Sequence, residues 1–133
     1  MNLKASADFK TQIMIISYLS SRFRSLGHAF RGIRTLVSTQ PNARLHLLAT
    51  SSVIAAGFFM HLRRWEWIAL LLCIGMVWMA ESLNTALEFL ANEVSTEKRE
   101  LLGKAKDVAA GGVLITALVS IVVAMMILRN HLR

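Results

Sequence analysis

The sequence predicts an all-α membrane protein, with three transmembrane helices preceded by an amphipathic interfacial helix. Three observations carry this prediction. The 133 residues are 55% hydrophobic, with positive mean hydropathy, which is too apolar for an ordinary soluble domain of this length. Three apolar runs reach or approach the 17–25 helical residues needed to cross about 30 Å of hydrocarbon. The basic residues flank these runs instead of forming a polar domain of their own.

The surface helix is expected over residues 18–39. Leu19, Phe23, Leu26, Phe30, Ile33 and Val37 recur at steps of four and three, which makes one apolar stripe, while Arg24, His28 and Arg31 fall on the other face. Such a helix lies in a membrane surface or packs on its own bundle; both place it at the interface. Pro41 breaks the pattern, and Gln40-Pro41-Asn42 is expected to turn the chain into the first span. That span is assigned to 45–62, around an uncharged run of 16 residues from 47 to 62. A second span, 65–91, opens on Trp65-Glu66-Trp67, aromatics suited to a membrane boundary. It has no Gly or Pro between Met76 and Ala91 to stop it. The third, 108–128, is 21 residues without a charge. The whole chain, 1–133, reads as a single domain, with no cleaved signal peptide expected.

Of fifteen Lys and Arg residues, seven precede the first span, and Lys98, Arg99, Lys104 and Lys106 lie between the second and third. Arg63, Arg64, Arg129 and Arg133 fall on the other side, so the positive-inside rule places the N-terminus in the cytoplasm. The single Cys73 excludes an internal disulfide and any cysteine-based metal cluster. A net charge of +7 distributed in this way points to anionic lipid and nucleotide, not nucleic acid.

Within the second span Glu81, Asn84, Thr85, Glu88 and Asn92 share one side, at offsets of 3, 4, 7 and 11 from Glu81. Counting about 1.5 Å per residue from Glu66, Glu81 lies roughly 22 Å into the layer and Glu88 roughly 33 Å along, at its boundary. Glu81 is thus placed to meet a lipid hydroxyl and Glu88 a hydrated nucleotide. A carboxylate in a membrane usually has a function or a partner; the plainer reading makes Glu81 and Asn84 hydrogen-bonding glue between helices. Lys106 and Asp107 precede the third span at a helix N-terminus, where phosphate is favoured. Taken alone, they are a flanking positive charge and a helix cap.

Ala80-Glu81-Ser-Leu-Asn84-Thr85-Ala-Leu-Glu88 and Ala105-Lys106-Asp107-Val-Ala-Ala, with Ala29-Phe30-Arg31-Gly32-Ile33 and Asn42-Ala-Arg44-Leu-His46-Leu, resemble the small prokaryotic diacylglycerol kinases, including their undecaprenol kinase branch. The resemblance covers 23–128 and implies a homotrimer in the bacterial cytoplasmic (inner) membrane. The implied reaction moves the γ-phosphoryl group of ATP, with Mg2+ as cofactor, to the hydroxyl of undecaprenol or diacylglycerol. It implies Glu81 as general base, Glu88 as the magnesium ligand and Asn84 as the residue that orients them. His28, Glu97, Lys106 and Asp107 fall at nucleotide-site positions, and Arg34, Asn42, Arg44 and His46 at lipid-substrate positions. The chain departs from the pattern at three places: Gln40 stands at a usual metal-binding Glu, Asn92 at a usual Asp, and Lys98-Arg99 at a frequent Tyr-His. An amide oxygen still coordinates magnesium but brings no charge. These departures motivate a rival reading, a catalytically weakened or inactive membrane scaffold of the same fold. An ion pump or channel ranks third, because polar residues within spans often line ion paths.

Overall fold

A computed structural model describes residues 3–95 and 97–132, all helix apart from short connections: α1 (Leu3–Thr39), α2 (Pro41–Phe59), α3 (Arg64–Val94) and α4 (Glu100–His131). Arg133, one of the expected far-side charges, lies outside the described residues. Packing divides the chain into two units, Met1–Thr35 and Leu36–Arg133.

The first unit is helical from Leu3, fifteen residues before the expected start at 18, because nothing between Leu3 and Tyr18 breaks a helix: Gly and Pro are absent there. Leu19, Phe23, Leu26, Phe30 and Ile33 are all exposed, so the apolar stripe read from the sequence is present as an open face. Arg22 sits over the ring of Tyr18, 4.9 Å from its centroid.

The second unit begins with the last turn of α1. Its carbonyls, which lack helical partners, are met by the guanidinium of Arg44, donating to Val37 O and Ser38 O. Only Gln40 is non-helical between α1 and α2. Pro41, expected within a turn, instead starts α2, since its missing N–H costs nothing at a first helical position.

The connection from α2 to α3 is compact. Leu62 N–H bonds Gly57 O and His61 N–H bonds Phe58 O, with His61 at φ 51°. This is the Schellman closure, with a histidine in the left-handed position that glycine usually takes. Gly57 itself has no room for a side chain: a Cβ there would stand 2.8 Å from Trp67 Cη2 and 3.0 Å from Leu62 Cδ1. At the start of α3, Glu66 accepts the N–H of Arg63 at 2.8 Å and meets His131 Nε2 at 3.1 Å, so the first turn of α3 is tied to the last turn of α4. At the other end Lys106 Nζ donates to Asn92 Oδ1 at 2.7 Å. These two bonds fix α3 and α4 as an antiparallel pair. α2 joins through Trp78 Nε1, which donates to Thr50 Oγ1 at 3.1 Å.

Burial departs from that of a water-soluble bundle, because polar groups share the interior with the apolar core and large apolar side chains cover the outside. Glu66, Glu81, Asn84 and Thr85 are buried, while Leu71, Leu72, Met79, Ile115, Leu118 and Val122 are exposed. A broad apolar exterior around an interior that mixes these polar groups with apolar residues such as Leu62, Leu70 and Ile127 suits hydrocarbon as the solvent. Two helices, α3 and α4, are long and apolar enough to cross a membrane. Both extend beyond their apolar runs, 65–91 and 108–128, because helix formation continues through the charged flanks.

Gly57→Ala is expected to destabilise the protein by about 1–3 kcal/mol through overpacking, and Trp67→Leu in the same chain to recover part of that loss. Thermal unfolding in micelles measures both; additive losses would contradict the proposed clash.

Candidate active site

The polar stripe of α3 faces inward. Glu81 is 1% exposed, and among the described residues its Oε2 has no hydrogen-bond partner; the same holds for Asn84 Oδ1 and Thr85 Oγ1. Three unpartnered polar oxygens within five residues are costly in a packed interior, so the arrangement suits a polar group that arrives from outside the chain. A cavity of about 280 Å³ receives two of them. It is lined by Glu81 and Asn84 of α3, Asn42 and His46 of α2, and Ala110 and Ala117 of α4. The small residues of α4 leave the space open.

His46 Nε2 stands 4.0 Å from Glu81 Oε2, beyond hydrogen-bond length but close enough for one oxygen atom to bridge them. The sequence named both residues without placing them together, since the rotation of α2 about its axis is not encoded in its own periodicity. One turn along α3, Asn84 Nδ2 donates to Glu88 Oε1 at 3.1 Å, so the buried amide holds a half-buried carboxylate.

A second, wider basin of about 770 Å³ lies between the end of α3 and the start of α4. Glu97, Lys98, Arg99 and Lys106 line it, with Asn92 holding Lys106. Three cations, Lys98, Arg99 and Lys106, stand with two carboxylates, Glu97 and Glu100, around it, so the walls offer donors to phosphate groups beside acidic side chains. Lys98 and Arg99, read from the sequence only as departures from a pattern, are part of this wall. Asp107 is exposed and lines neither cavity. Gln40 is half-buried as the N-terminal cap residue of α2, and Arg44 closes the end of α1. His28 and Arg34 lie in the first unit, where both are exposed; His28 Nδ1 accepts a bond from Arg31 at 2.7 Å.

Among the described residues no three His, Cys, Asp or Glu side chains gather as a metal cage. Magnesium does not require one: it is commonly held by one or two carboxylates, substrate phosphates and water. Glu88, half-buried and steered by Asn84, fits that donor set.

The class defined by these features is a helical membrane protein with a carboxylate–amide site on a cavity between its helices. The model of the prokaryotic diacylglycerol kinase family matches residues 27–128, and the chain belongs to that family. The undecaprenol kinase of Bacillus subtilis is 35% identical over 109 residues, covering 82% of this chain and 89% of that protein. A diacylglycerol kinase of Synechocystis is 36% identical over 100 residues, 74% of this chain and 57% of that protein. The diacylglycerol kinase of Escherichia coli K12 is 23% identical over 108 residues, 81% of this chain and 88% of that protein. The protein is therefore a membrane lipid kinase.

Asn84→Ala releases Glu88 from its amide partner and is expected to lower lipid phosphorylation about 10–100-fold, the range for losing a residue that orients a ligand. A rate within twofold of the parent, measured in lipid-containing micelles, would make the Asn84–Glu88 bond dispensable.

Proposed function

We propose that the protein transfers the γ-phosphoryl group of magnesium-ATP to the hydroxyl of a membrane lipid alcohol, undecaprenol or diacylglycerol. The observation that carries this reading is the buried Glu81 carboxylate with an unpartnered oxygen on a cavity wall, two turns along α3 from Glu88. Glu81 accepts the hydroxyl proton as the lipid oxygen attacks the γ-phosphorus. The bond from that phosphorus to the β,γ-bridging oxygen breaks, and ADP leaves with the electron pair. His46, in the tautomer with hydrogen on Nε2, donates to the same lipid oxygen and holds it against Glu81. Glu88 would hold magnesium at the ATP phosphates, where the ion offsets phosphate charge. Lys106, Lys98 and Arg99 bind the phosphates from the basin wall, and Glu97 sits beside them.

In this proposal α2 joins α3 and α4 as a third span, and α1 lies at the interface of the bacterial inner membrane. The charge asymmetry supports a cytoplasmic N-terminus, where ATP is available. The subunits assemble as a homotrimer by analogy with the family pattern. The rival reading, an inactive scaffold, rests on Gln40 and Asn92. The bond from Lys106 to Asn92 bears on one part of it, because the amide oxygen still holds the ammonium at the basin, without the charge a carboxylate would add.

The test is phosphoryl transfer from labelled ATP to a panel of lipid alcohols by the purified protein in micelles. Glu81→Gln keeps the shape but not the base, and is expected to lower kcat by about 10²–10⁴-fold with the unfolding temperature retained. A parent protein that phosphorylates no lipid with magnesium or manganese would leave the scaffold reading. Gln40→Glu is expected to lower the magnesium concentration for half-maximal rate about tenfold, by adding a charged ligand; no change removes position 40 from the metal site.

A further inference from the structure

Of the three buried polar residues Glu81, Asn84 and Thr85, the reaction above uses the first two. Thr85 is 4% exposed, and its Oγ1 lacks a hydrogen-bond partner among the described residues. A hydroxyl on a helix rarely needs to stay unpaired, because a carbonyl three or four residues back is within its reach. Ser51 and Ser52 of α2, Ser82 of α3, and Thr116 and Ser120 of α4 all donate to such a carbonyl. Thr85 forgoes the same bond to Glu81 O or Ser82 O, although it is more deeply buried than any of those five.

Thr85 does not line the cavity of about 280 Å³ that Glu81 and Asn84 line, so its partner is to be found among side chains. Asn84 is its neighbour in sequence, and adjacent helical residues do not face each other. The Glu88 carboxylate already accepts from Asn84. Glu81 lies four residues back, the spacing that stacks side chains along one face with Cβ atoms about 5–6 Å apart. Helical side chains lean toward the N-terminus, so the Thr85 hydroxyl overlies the turn that bears Glu81. A carboxylate has about four acceptor sites on two oxygens and can take a lipid hydroxyl and a second donor together.

We propose that Thr85 is a positioning residue for Glu81: its hydroxyl donates to one carboxylate oxygen and so holds the other toward His46, where the lipid hydroxyl docks. This inference rests on the lipid kinase reading of Glu81. In the structure, Glu81 Oε2 and Thr85 Oγ1 are both unpartnered, and Oε2 stands 4.0 Å from His46 Nε2. The contact forms when the lipid oxygen enters between Glu81 and His46, because a carboxylate held by donors on two sides can no longer rotate. A hydroxyl donating to an ionised carboxylate makes a charge-assisted bond, strongest before the base has taken its proton.

The test compares Thr85→Val, which keeps the branched shape and removes the hydroxyl, with Thr85→Ser, which keeps the hydroxyl. Thermal unfolding and phosphoryl transfer to undecaprenol and diacylglycerol are measured on the whole protein in lipid-containing micelles. Thr85→Val is expected to retain or raise the unfolding temperature, since it removes a buried polar group that has no partner. It is expected to lower kcat about 10–100-fold while KM for lipid and for ATP stay within about threefold, the pattern of a misplaced base. Thr85→Ser is expected to keep kcat within about threefold of the parent. In a Glu81→Gln background Thr85→Val should cost no more than about twofold, because a residue that acts through the base then has nothing to position. A lower unfolding temperature for Thr85→Val would show that the hydroxyl already has a structural partner, in this subunit or in a neighbouring copy, and would overturn the inference. So would an unchanged kcat, a Thr85→Ser rate as low as that of Thr85→Val, or an equal loss in both backgrounds. Each of these outcomes, with an active parent, leaves the kinase reading standing; a parent that phosphorylates no lipid ends both.

Discussion

A carboxylate on a helix bathed in hydrocarbon must find polar company inside the protein, and the position of Glu81 sets the terms for the rest of this fold. Its burial turns one whole face of α3 inward, carrying Asn84 and Thr85 with it. α2 brings His46 to within 4.0 Å of that carboxylate, but among the described residues none hydrogen-bonds its Oε2. The arrangement differs from simple helix glue, in which the polar groups satisfy one another across the interface. Here the polar interior stays incomplete on the side where a cavity opens.

The remaining interactions hold that incomplete site open without letting it collapse. α3 and α4 are joined at both ends, through Glu66 with His131 and through Asn92 with Lys106. Between those ties Ala110 and Ala117 of α4 line the cavity beside Glu81, together with Val113 and Leu114. α2 is held to α3 by Trp78 and Thr50 and by the close turn at Gly57, not by contact with α4. The separation of α2 from α4 thus follows from where the bonds are placed. The polar cavity beside Glu81 lies between them. The nucleotide-sized basin lies beyond the other end of the Glu81–Asn84–Glu88 stripe, with Asn84 and Glu88 between them along α3.

Much of this was legible in the sequence, and the reasons differ by element. The stripe from Glu81 to Asn92 could be read because a helical period alone places those residues on one side, and α3 and α4 could be read from apolar runs. The start of α1 was not, since residues before Tyr18 show no sustained apolar period although nothing there opposes a helix. Pro41 was read as a break when it is a first helical residue; both roles follow from its missing N–H, and position decides between them. Glu66 passed for a boundary residue beside two tryptophans, and its bond to His131 spans 65 positions that no local pattern relates. The pairing of His46 with Glu81 depends likewise on how two helices are rotated against each other.

The central claim is that a lipid hydroxyl completes the hydrogen bonding of Glu81. A structure of the protein with farnesol and a non-hydrolysable ATP analogue tests it most directly. The account predicts the alcohol oxygen within about 2.6–3.2 Å of the Glu81 carboxylate, with His46 on its other side. An alcohol bound with its oxygen on the outer faces of α3 or α4, and Glu81 satisfied by a residue of another subunit, would contradict it.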